Sequence, residues 1–415
     1  MKYVIIGNSA AGIGCVEGIR QIDKKGKITI ISDEDHHVYS RPLISYLIQG
    51  KVKKNRMMYR DENFYDENDV KLLKSRKAVK INAEEKNLYL SDGEKIAYDK
   101  LLVACGSRAF VPEIKGLEKV KNKTTFMSLD DAKKLEGFIG QKTRVLILGA
   151  GLIGLKCAEG ILNRVGEISI VDLAPNVLPS ILDADGASMV QSLFEEKGVK
   201  FFFSKGIKEF ESSNDGTDKF KNTAILDDGE KLDFDILVLA AGVRPNTELL
   251  SGIADIGRGI IVNNKSETSF PGIYSAGDCT EYVDISSGQI KIMALLPNAY
   301  MQGECAGVNM AGGEMIFSKA IPMNAIGFMG FHIITAGNYF GDVYKNITKN
   351  TYRKLFYSDN CLNGYIFMGN IEKAGIYTHL IRDKTPLDTI DFELICERPG
   401  LMAFTKDVRV QKLGA

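Results

Sequence analysis

No charge of either sign predominates in this 415-residue chain: Lys plus Arg and Asp plus Glu number 53 each. Without a global field nothing draws the protein to nucleic acid or to anionic lipid, and any charged docking surface must be a local patch. No apolar run approaches the roughly 20 residues needed to cross a bilayer. The opening apolar run, Tyr3 to Ile6, is broken at once by Gly7-Asn8-Ser9. A secretory leader would have a basic start and a longer apolar middle, so a cytoplasmic protein without a membrane span is expected. The seven cysteines (Cys15, Cys105, Cys157, Cys279, Cys305, Cys361, Cys396) are odd in number, scattered, and form no Cys-x-x-Cys pair. That spacing argues against a disulfide framework, a zinc ribbon or an iron-sulfur cluster ligated by this chain alone. Buried free thiols in a reducing compartment are the expectation. The four histidines do not gather as ligands, and no metal site is expected.

What is present is an ordinary globular composition, 45% apolar and 26% charged. The length exceeds what one compact core holds, and three domains are expected.

Residues 2 to 6 form a β-branched, apolar run that reads as a buried parallel strand. Gly7-Asn8-Ser9-Ala10-Ala11-Gly12 follows, then small and apolar residues through Arg20 that suit a helix. In the dinucleotide fingerprint the first glycine makes the tight turn, the middle position stays small so that backbone approaches a pyrophosphate, and the last lets helix pack on strand. Ser9 replaces the middle glycine, but serine is still small. The helix start would present free N–H groups and partial positive charge to phosphates. A second strand, residues 28 to 32, ends in Asp33-Glu34, at the distance where an acid accepts hydrogen bonds from an adenosine ribose. A solvated acidic pair after a strand is the alternative.

The unit repeats. Thr143 to Leu148 is a strand, Gly149-Ala150-Gly151-Leu152-Ile153-Gly154 matches the three-glycine pattern in full, Leu155 to Val165 is helical in pattern, and Ile168 to Val171 is a strand ending in Asp172. A carboxylate there favours the free 2′-hydroxyl of NADH, whereas NADPH wants a cation for its 2′-phosphate. Leu173-Ala174-Pro175-Asn176 offers none, so NADH is preferred. Two complete units in one chain are far more specific than either alone.

With these turns the chain resembles the pyridine-nucleotide flavoprotein reductases, the superfamily of glutathione reductase, NADH-rubredoxin reductase and the flavoprotein part of NADH-nitrite reductase. Further markers are Tyr39-Ser40-Arg41-Pro42-Leu43, Leu101 to Ser107, Ala241-Gly242-Val243-Arg244-Pro245-Asn246 and Gly272 to Cys279. The resemblance implies an α/β fold with two Rossmann-like dinucleotide-binding domains, glutathione-reductase-like, plus a small α+β C-terminal domain. The implied boundaries are 1–112 and 241–316 for the two parts of an FAD domain, 113–240 for an NAD domain and 317–415 for an interface domain that usually contributes to a dimer. It further implies that FAD lies against Gly7, Ser9, Ala10, Ala11 and Gly12, with Asp33 or Glu34 toward its ribose and Arg41 along its adenosine or pyrophosphate. Ala78 or Val79 would meet the adenine, and Gly277-Asp278 would close the site, Asp278 accepting bonds from the ribityl chain. Gly149, Gly151, Leu152, Ile153, Gly154 and Asp172 would hold NADH, and Gly106 and Gly242 lie in the crossover segments, also beside cofactor.

The chain departs from its relatives in two respects. The redox cysteine pair of disulfide reductases is missing, since only Cys15 stands in the first helix, and Tyr39 to Gly50 has no cysteine. A thiolate nucleophile is not expected, and electrons should leave the flavin directly. Many relatives pair a lysine at the position of Tyr46 with a glutamate at the position of Lys156; here the cation has changed sides. Lys156 is the candidate catalytic residue, its alternative being a helix-surface lysine. In the C-terminal region Phe328, Phe331 and His332 either line the acceptor side of the flavin or belong to the core.

The expected activity is an FAD-dependent NADH oxidoreductase that moves a hydride between NAD(H) and FAD, and electrons onward to or from a one-electron iron protein such as rubredoxin or ferredoxin. One alternative is the NADH-handling FAD subunit of a larger iron-sulfur complex of aldehyde, 2-oxoacid or nitrite type. Another is a non-catalytic flavoprotein that senses NADH.

Overall fold

The strand Lys2–Ile6 is buried from Tyr3 onward, which is why it reads as an unbroken apolar run rather than an alternating one. It lies at the centre of a five-stranded parallel sheet. The order is Ile273–Ser275, Lys100–Val103, Lys2–Ile6, Lys27–Ile31, Val70–Leu73. A second parallel sheet has the order Lys200–Phe203, Glu167–Asp172, Arg144–Leu148, Ile236–Leu239, Lys123–Thr125. Four strands of each sheet follow one winding. The fifth comes late in the chain in the first sheet, at 273, and early in the second, at 123.

These sheets belong to two compact units of the computed structural model, which describes residues 1–214, 220–318 and 320–413. The first unit comprises Met1–His36, Asn63–Gly106 and Pro245–Ala415; the second comprises His37–Glu62 and Ser107–Arg244. Segment 37–62 therefore packs with the second sheet, and the C-terminal region packs with the first.

In the first unit the helix Ala10–Ile22 follows the central strand and lies against the helix Leu296–Met310. Small residues make this approach feasible: a Cβ on Gly14 would come 2.3 Å from Tyr300 O, and one on Gly307 would come 2.2 Å from Cys15 O. The small-residue run of the first helix is thus a packing face as well as a turn exit. The C-terminal region builds a five-stranded antiparallel sheet, ordered Met323–Phe328, Phe331–Gly337, Cys361–Met368, Tyr352–Ser358, Asp342–Ile347. The helix Ala374–Arg382 covers it, with the Tyr377 ring edge-on to Phe367 at 4.8 Å. Phe328 is fully buried and His332 is exposed, so the core reading holds for the first, and Phe331 is half-buried. Among the described residues no helix is long and apolar enough to cross a membrane.

Candidate functional site

The first turn is shaped by the chain's own sterics. Gly7 has φ +116°, its N–H donates to Ile31 O at 2.9 Å, and a Cβ there would sit 2.1 Å from Ala104 O. A Cβ on Gly12 would sit 2.1 Å from Gly7 O. No side chain of L-configuration fits at either position. Ser9 is the N-cap of the Ala10–Ile22 helix, yet its side chain makes no capping bond and the first turn carries no acid. The N–H groups of the helix start therefore form an electropositive mouth that the protein does not neutralise from within.

Around this mouth the first unit gathers several of the residues expected from sequence. Gly277 (φ +84°) turns against it, a Cβ there coming 3.2 Å from Ala11 Cβ, and half-buried Asp278 follows. The Gly277 N–H donates to Gln302 Oε1 at 2.8 Å, and the Thr280 hydroxyl donates to the same atom at 3.0 Å. Gln302 Nε2 and Asn298 Oδ1, both on the Leu296–Met310 helix, are buried without a hydrogen-bond partner among the described residues. Polar atoms in that condition call for a polar ligand or water. On the strand-end side the Tyr65 hydroxyl donates to Asn8 Oδ1 at 2.7 Å. Arg76 N donates to Ser32 O at 2.8 Å and Ser75 N to Glu34 O at 3.4 Å, which draws segment 75–79 alongside Asp33 and Glu34. Ala78 is buried; Val79 is 50% exposed where the pairing with Asn87–Leu90 slips by one residue. Glycine cradle, uncapped helix start and orphaned amides together fit a dinucleotide.

The second turn repeats the steric design. Gly149 has φ +118°, and a Cβ there would meet Ala240 O at 2.2 Å; on Gly154 it would meet Gly149 O at 1.9 Å. Gly151, the N-cap of the Leu152–Ile161 helix, has open space around its missing Cβ and no capping bond. Leu152 and Ile153 form its half-buried first turn. Asp172 is tied to this turn: Oδ2 accepts from Ala150 N at 2.6 Å and Oδ1 from Ala174 N at 2.7 Å. In matching register the first turn has Ser32 where the second has Asp172, because Gly7 N meets Ile31 O as Gly149 N meets Val171 O. Ser32 donates to Glu34 O at 3.1 Å, which leaves exposed Asp33 and half-buried Glu34 one and two residues further on.

Lys156 is not a surface lysine. Its side chain is 16% exposed, Nζ lies 2.6 Å from Glu159 Oε2, and Glu159 is 4% exposed. The ammonium also lies 4.7 Å from the centre of the Tyr46 ring, on the helix Ile44–Ile48. A pair this buried is costly to break, of order 3–5 kcal/mol when one partner is removed. Glu159 was readable as an i, i+3 partner of Lys156 on a helix, although the family comparison alone draws attention to Tyr46 instead. Arg41 belongs to the second unit, where its guanidinium donates to Met127 O at 3.3 Å and lies 5.5 Å from the Tyr39 ring centre. Gly106 (φ +64°) falls in the first unit and Gly242 (φ +109°) in the second, where Gly242 O accepts from Phe110 N at 2.9 Å. Cys15 and Cys157 are buried thiols whose pKa burial pushes well up, which suits packing rather than nucleophilic attack.

Two parallel sheets, each carrying a glycine turn at the carboxyl end of its central strand, define an oxidoreductase that handles two dinucleotides. The chain belongs to the pyridine nucleotide-disulphide oxidoreductase family, which it matches over residues 1–303. It is an NADH-dependent flavoprotein oxidoreductase, with FAD and NAD(H) as its cofactors. It is 29% identical over 396 residues to the NADH-dependent phenylglyoxylate dehydrogenase subunit epsilon of Aromatoleum evansii, covering 93% of this chain and 92% of that one. It is 32% identical over 327 residues to an NADH oxidase of Methanocaldococcus jannaschii, covering 76% and 71%. Among solved structures, the reductase in a covalent putidaredoxin reductase-putidaredoxin complex superposes with a TM-score of 0.88 at 21% identity, covering 100% and 99% of the two chains; at that identity the likeness shows the fold alone.

Proposed function

We propose that this protein oxidises NADH at its second glycine turn and passes the electrons, through FAD held at its first, to a one-electron iron protein such as rubredoxin or ferredoxin. The observation that supports this most is the repeated cradle, with a carboxylate, Asp172, fixed at the edge of the second turn by the N–H groups of Ala150 and Ala174. FAD, when bound, supplies a two-electron acceptor that can return its electrons singly. The chain's own part is binding and placement. The backbone N–H groups of Ser9 to Gly12 meet the pyrophosphate, Asp33 or Glu34 and the backbone at Ala78 and Val79 take the adenosine end, and Asp278 accepts from the ribityl hydroxyls. At the second turn Gly151 to Gly154 would receive the NADH pyrophosphate, and Asp172 would accept from the ribose hydroxyls and repel the charge of a 2′-phosphate. Lys156, held by Glu159 and Tyr46, would present a fixed cation from the helix that follows the second turn.

Anaerobic stopped-flow mixing tests the reading. NADH should bleach the bound flavin in milliseconds to seconds, and rubredoxin or ferredoxin added next should restore the colour. Bleaching without reoxidation by either iron protein would overturn the acceptor assignment. A purified chain that stays colourless when offered FAD would overturn the whole reading.

A second reading has its own support. The similarity to a dehydrogenase subunit runs nearly end to end, which is what a dedicated NADH-handling FAD subunit of an iron-sulfur complex would show. Stable co-purification with iron-sulfur subunits from the native source would favour it over a free reductase.

A further inference from the structure

Just beyond the strand Ile273–Ser275 the chain makes a closed turn. Thr280 N donates to Gly277 O at 2.9 Å, which leaves Asp278 and Cys279 at the two corners. One side chain grips both ends of this turn. Gln302 Oε1 accepts from Gly277 N at 2.8 Å; the Thr280 hydroxyl lies 3.0 Å from the same oxygen and 2.8 Å from Gly277 O, so its single proton is shared between them. Gln302 and Thr280 are both buried. A backbone N–H can only donate, so the contact with Gly277 decides which end of the Gln302 amide is oxygen.

Gln302 is itself held in place. Its carbonyl accepts from the Ser266 hydroxyl at 3.1 Å, and Ser266 O accepts from Ser275 N at 3.0 Å, which ties the helix Leu296–Met310 to the strand leading into the turn. Ser266 is fully buried and has φ +61°, a left-handed conformation uncommon outside glycine. One residue beyond Gln302, a Cβ on Gly303 would come 2.0 Å from Ala11 O, and one turn before it Ala299 Cβ lies 3.5 Å from where a Cβ on Gly277 would be. Residues 299, 302 and 303 share one face of the helix. That face meets Ala11, at the start of the first helix, and the 277–280 turn together.

We propose that Gln302 is a positioning residue for FAD: by gripping both ends of the turn at whose corner Asp278 stands, it sets the distance between that carboxylate and the N–H groups of Ser9 to Gly12. The inference rests on the reading that Asp278 meets the ribityl chain and those N–H groups the pyrophosphate. In FAD the ribityl chain is joined covalently to the pyrophosphate, so the ligand dictates their separation and the protein's two contacts must match it. Contacts carried by segments free to drift apart would lose affinity to the ordering needed on binding. A helix pressed on Ala11, with one side chain fastened to Gly277 and Thr280, removes that freedom. Gln302 thus acts through Asp278.

The test follows loss of FAD from the yellow holoprotein after dilution, read as the rise in flavin fluorescence. Gln302→Met keeps the side chain's length but leaves the buried Gly277 N–H without an acceptor, and FAD should leave about tenfold faster. Gln302→Glu keeps an oxygen toward Gly277 and alters the side of the amide, Nε2, that has no partner among the described residues. Its FAD loss should stay within about threefold of the unaltered protein, since the bond to Gly277 is kept. Asp278→Ala should hasten the loss by itself, and Gln302→Met added to it should bring no further change, because two residues acting as one unit are not additive. A merely structural role for Gln302 predicts effects that multiply, and that result would overturn the proposal. So would a Gln302→Glu protein that loses FAD as fast as Gln302→Met. Asp278→Ala without effect would overturn the reading of Asp278 and this inference with it, whereas an effect of Asp278→Ala beside none of Gln302→Met would overturn this inference alone. Should Gln302→Met fail to fold, Thr280→Val, which removes the other donor to the same oxygen, takes its place in the cycle with the same lack of additivity expected.

Discussion

Placed in common register, the turns at Gly7 and Gly149 share their first and last glycines and differ at the four positions between them and at the strand end. The shared glycines are the ones whose Cβ atoms would strike the protein's own backbone, Ala104 O and Gly7 O in one turn, Ala240 O and Gly149 O in the other. Two of the differences stand out: half-buried Ser9 against Gly151 in the middle, and buried Ser32 against half-buried Asp172 at the strand end. What the chain imposes on itself most strictly is thus the same in both turns, the two glycines that its own backbone crowds, while Ser9 and Gly151 stand where a ligand would be met. The helices behind them diverge as well. The first presses Gly14 and Gly18 on a neighbouring helix, whereas the second buries the Lys156–Glu159 ion pair.

Substitutions can break this division between self-imposed and ligand-imposed positions. The largest effect is expected for Gly7→Ala and Gly149→Ala, where positive φ and a backbone clash coincide. Each should cost about 3 kcal/mol or more, combining left-handed strain with overpacking. Denaturant titration checks this; a Gly149→Ala protein of unaltered stability would show that the chain does not dictate the shared glycines. Next comes Gly151→Val. Nothing lies within 4 Å of the position of its Cβ, so stability should fall by no more than about 1 kcal/mol, the scale of losing a favourable N-cap. The protein should stay yellow while NADH-driven bleaching slows by about 100-fold, equivalent to about 2.7 kcal/mol of lost binding in the transition state. Asp172→Ala is expected to act more mildly, lowering the ratio of NADH to NADPH reduction rates about tenfold, the scale of one hydrogen bond to a charged group. An unchanged ratio would remove Asp172 from coenzyme selection.

Much of this architecture is legible in the sequence for a physical reason. Strands buried on both faces have no polar alternation, so Lys2–Ile6, Lys27–Ile31 and Arg144–Leu148 appear as apolar runs, and each backbone clash at a turn leaves a glycine in print. Near the C-terminus a capping acid marks a helix start: the Asp391 side chain accepts from Leu394 N at 3.0 Å and opens the helix Phe392–Glu397, apart from the single turn Leu387–Thr389 before it. Less legible is whatever depends on distant segments meeting. That Ser32 matches Asp172 follows from strand register, and the meeting of Gln302 with Gly277 from helix placement; neither leaves a local signature. Arg41 likewise falls in the second compact unit, although the chain on both sides of segment 37–62 belongs to the first. Glu159 stands three residues beyond Lys156, the spacing that brings two side chains together on one helix face.

The smallest effect, and the most discriminating, is expected at Ser9. Its backbone is extended, φ −138° and ψ −165°, a conformation open to any residue, and its hydroxyl makes no capping bond to the helix it precedes. If the middle position needs only to be small, Ser9→Gly should change stability by a few tenths of a kcal/mol, the usual difference between these N-caps. FAD retention, followed as colour through dialysis, should then be unaltered, and Ser9→Leu should bleach the protein by filling the space a pyrophosphate needs. If instead the hydroxyl donates to a phosphate oxygen, Ser9→Gly and Ser9→Ala should both weaken retention by about tenfold, since a hydrogen bond to a charged acceptor contributes on the order of 1.5 kcal/mol. The second outcome would mean that the departure from the three-glycine pattern added a contact, and that the two turns grip their dinucleotides by different chemistry. The first would mean that serine is merely tolerated there, as the open space around Gly151 suggests for its counterpart.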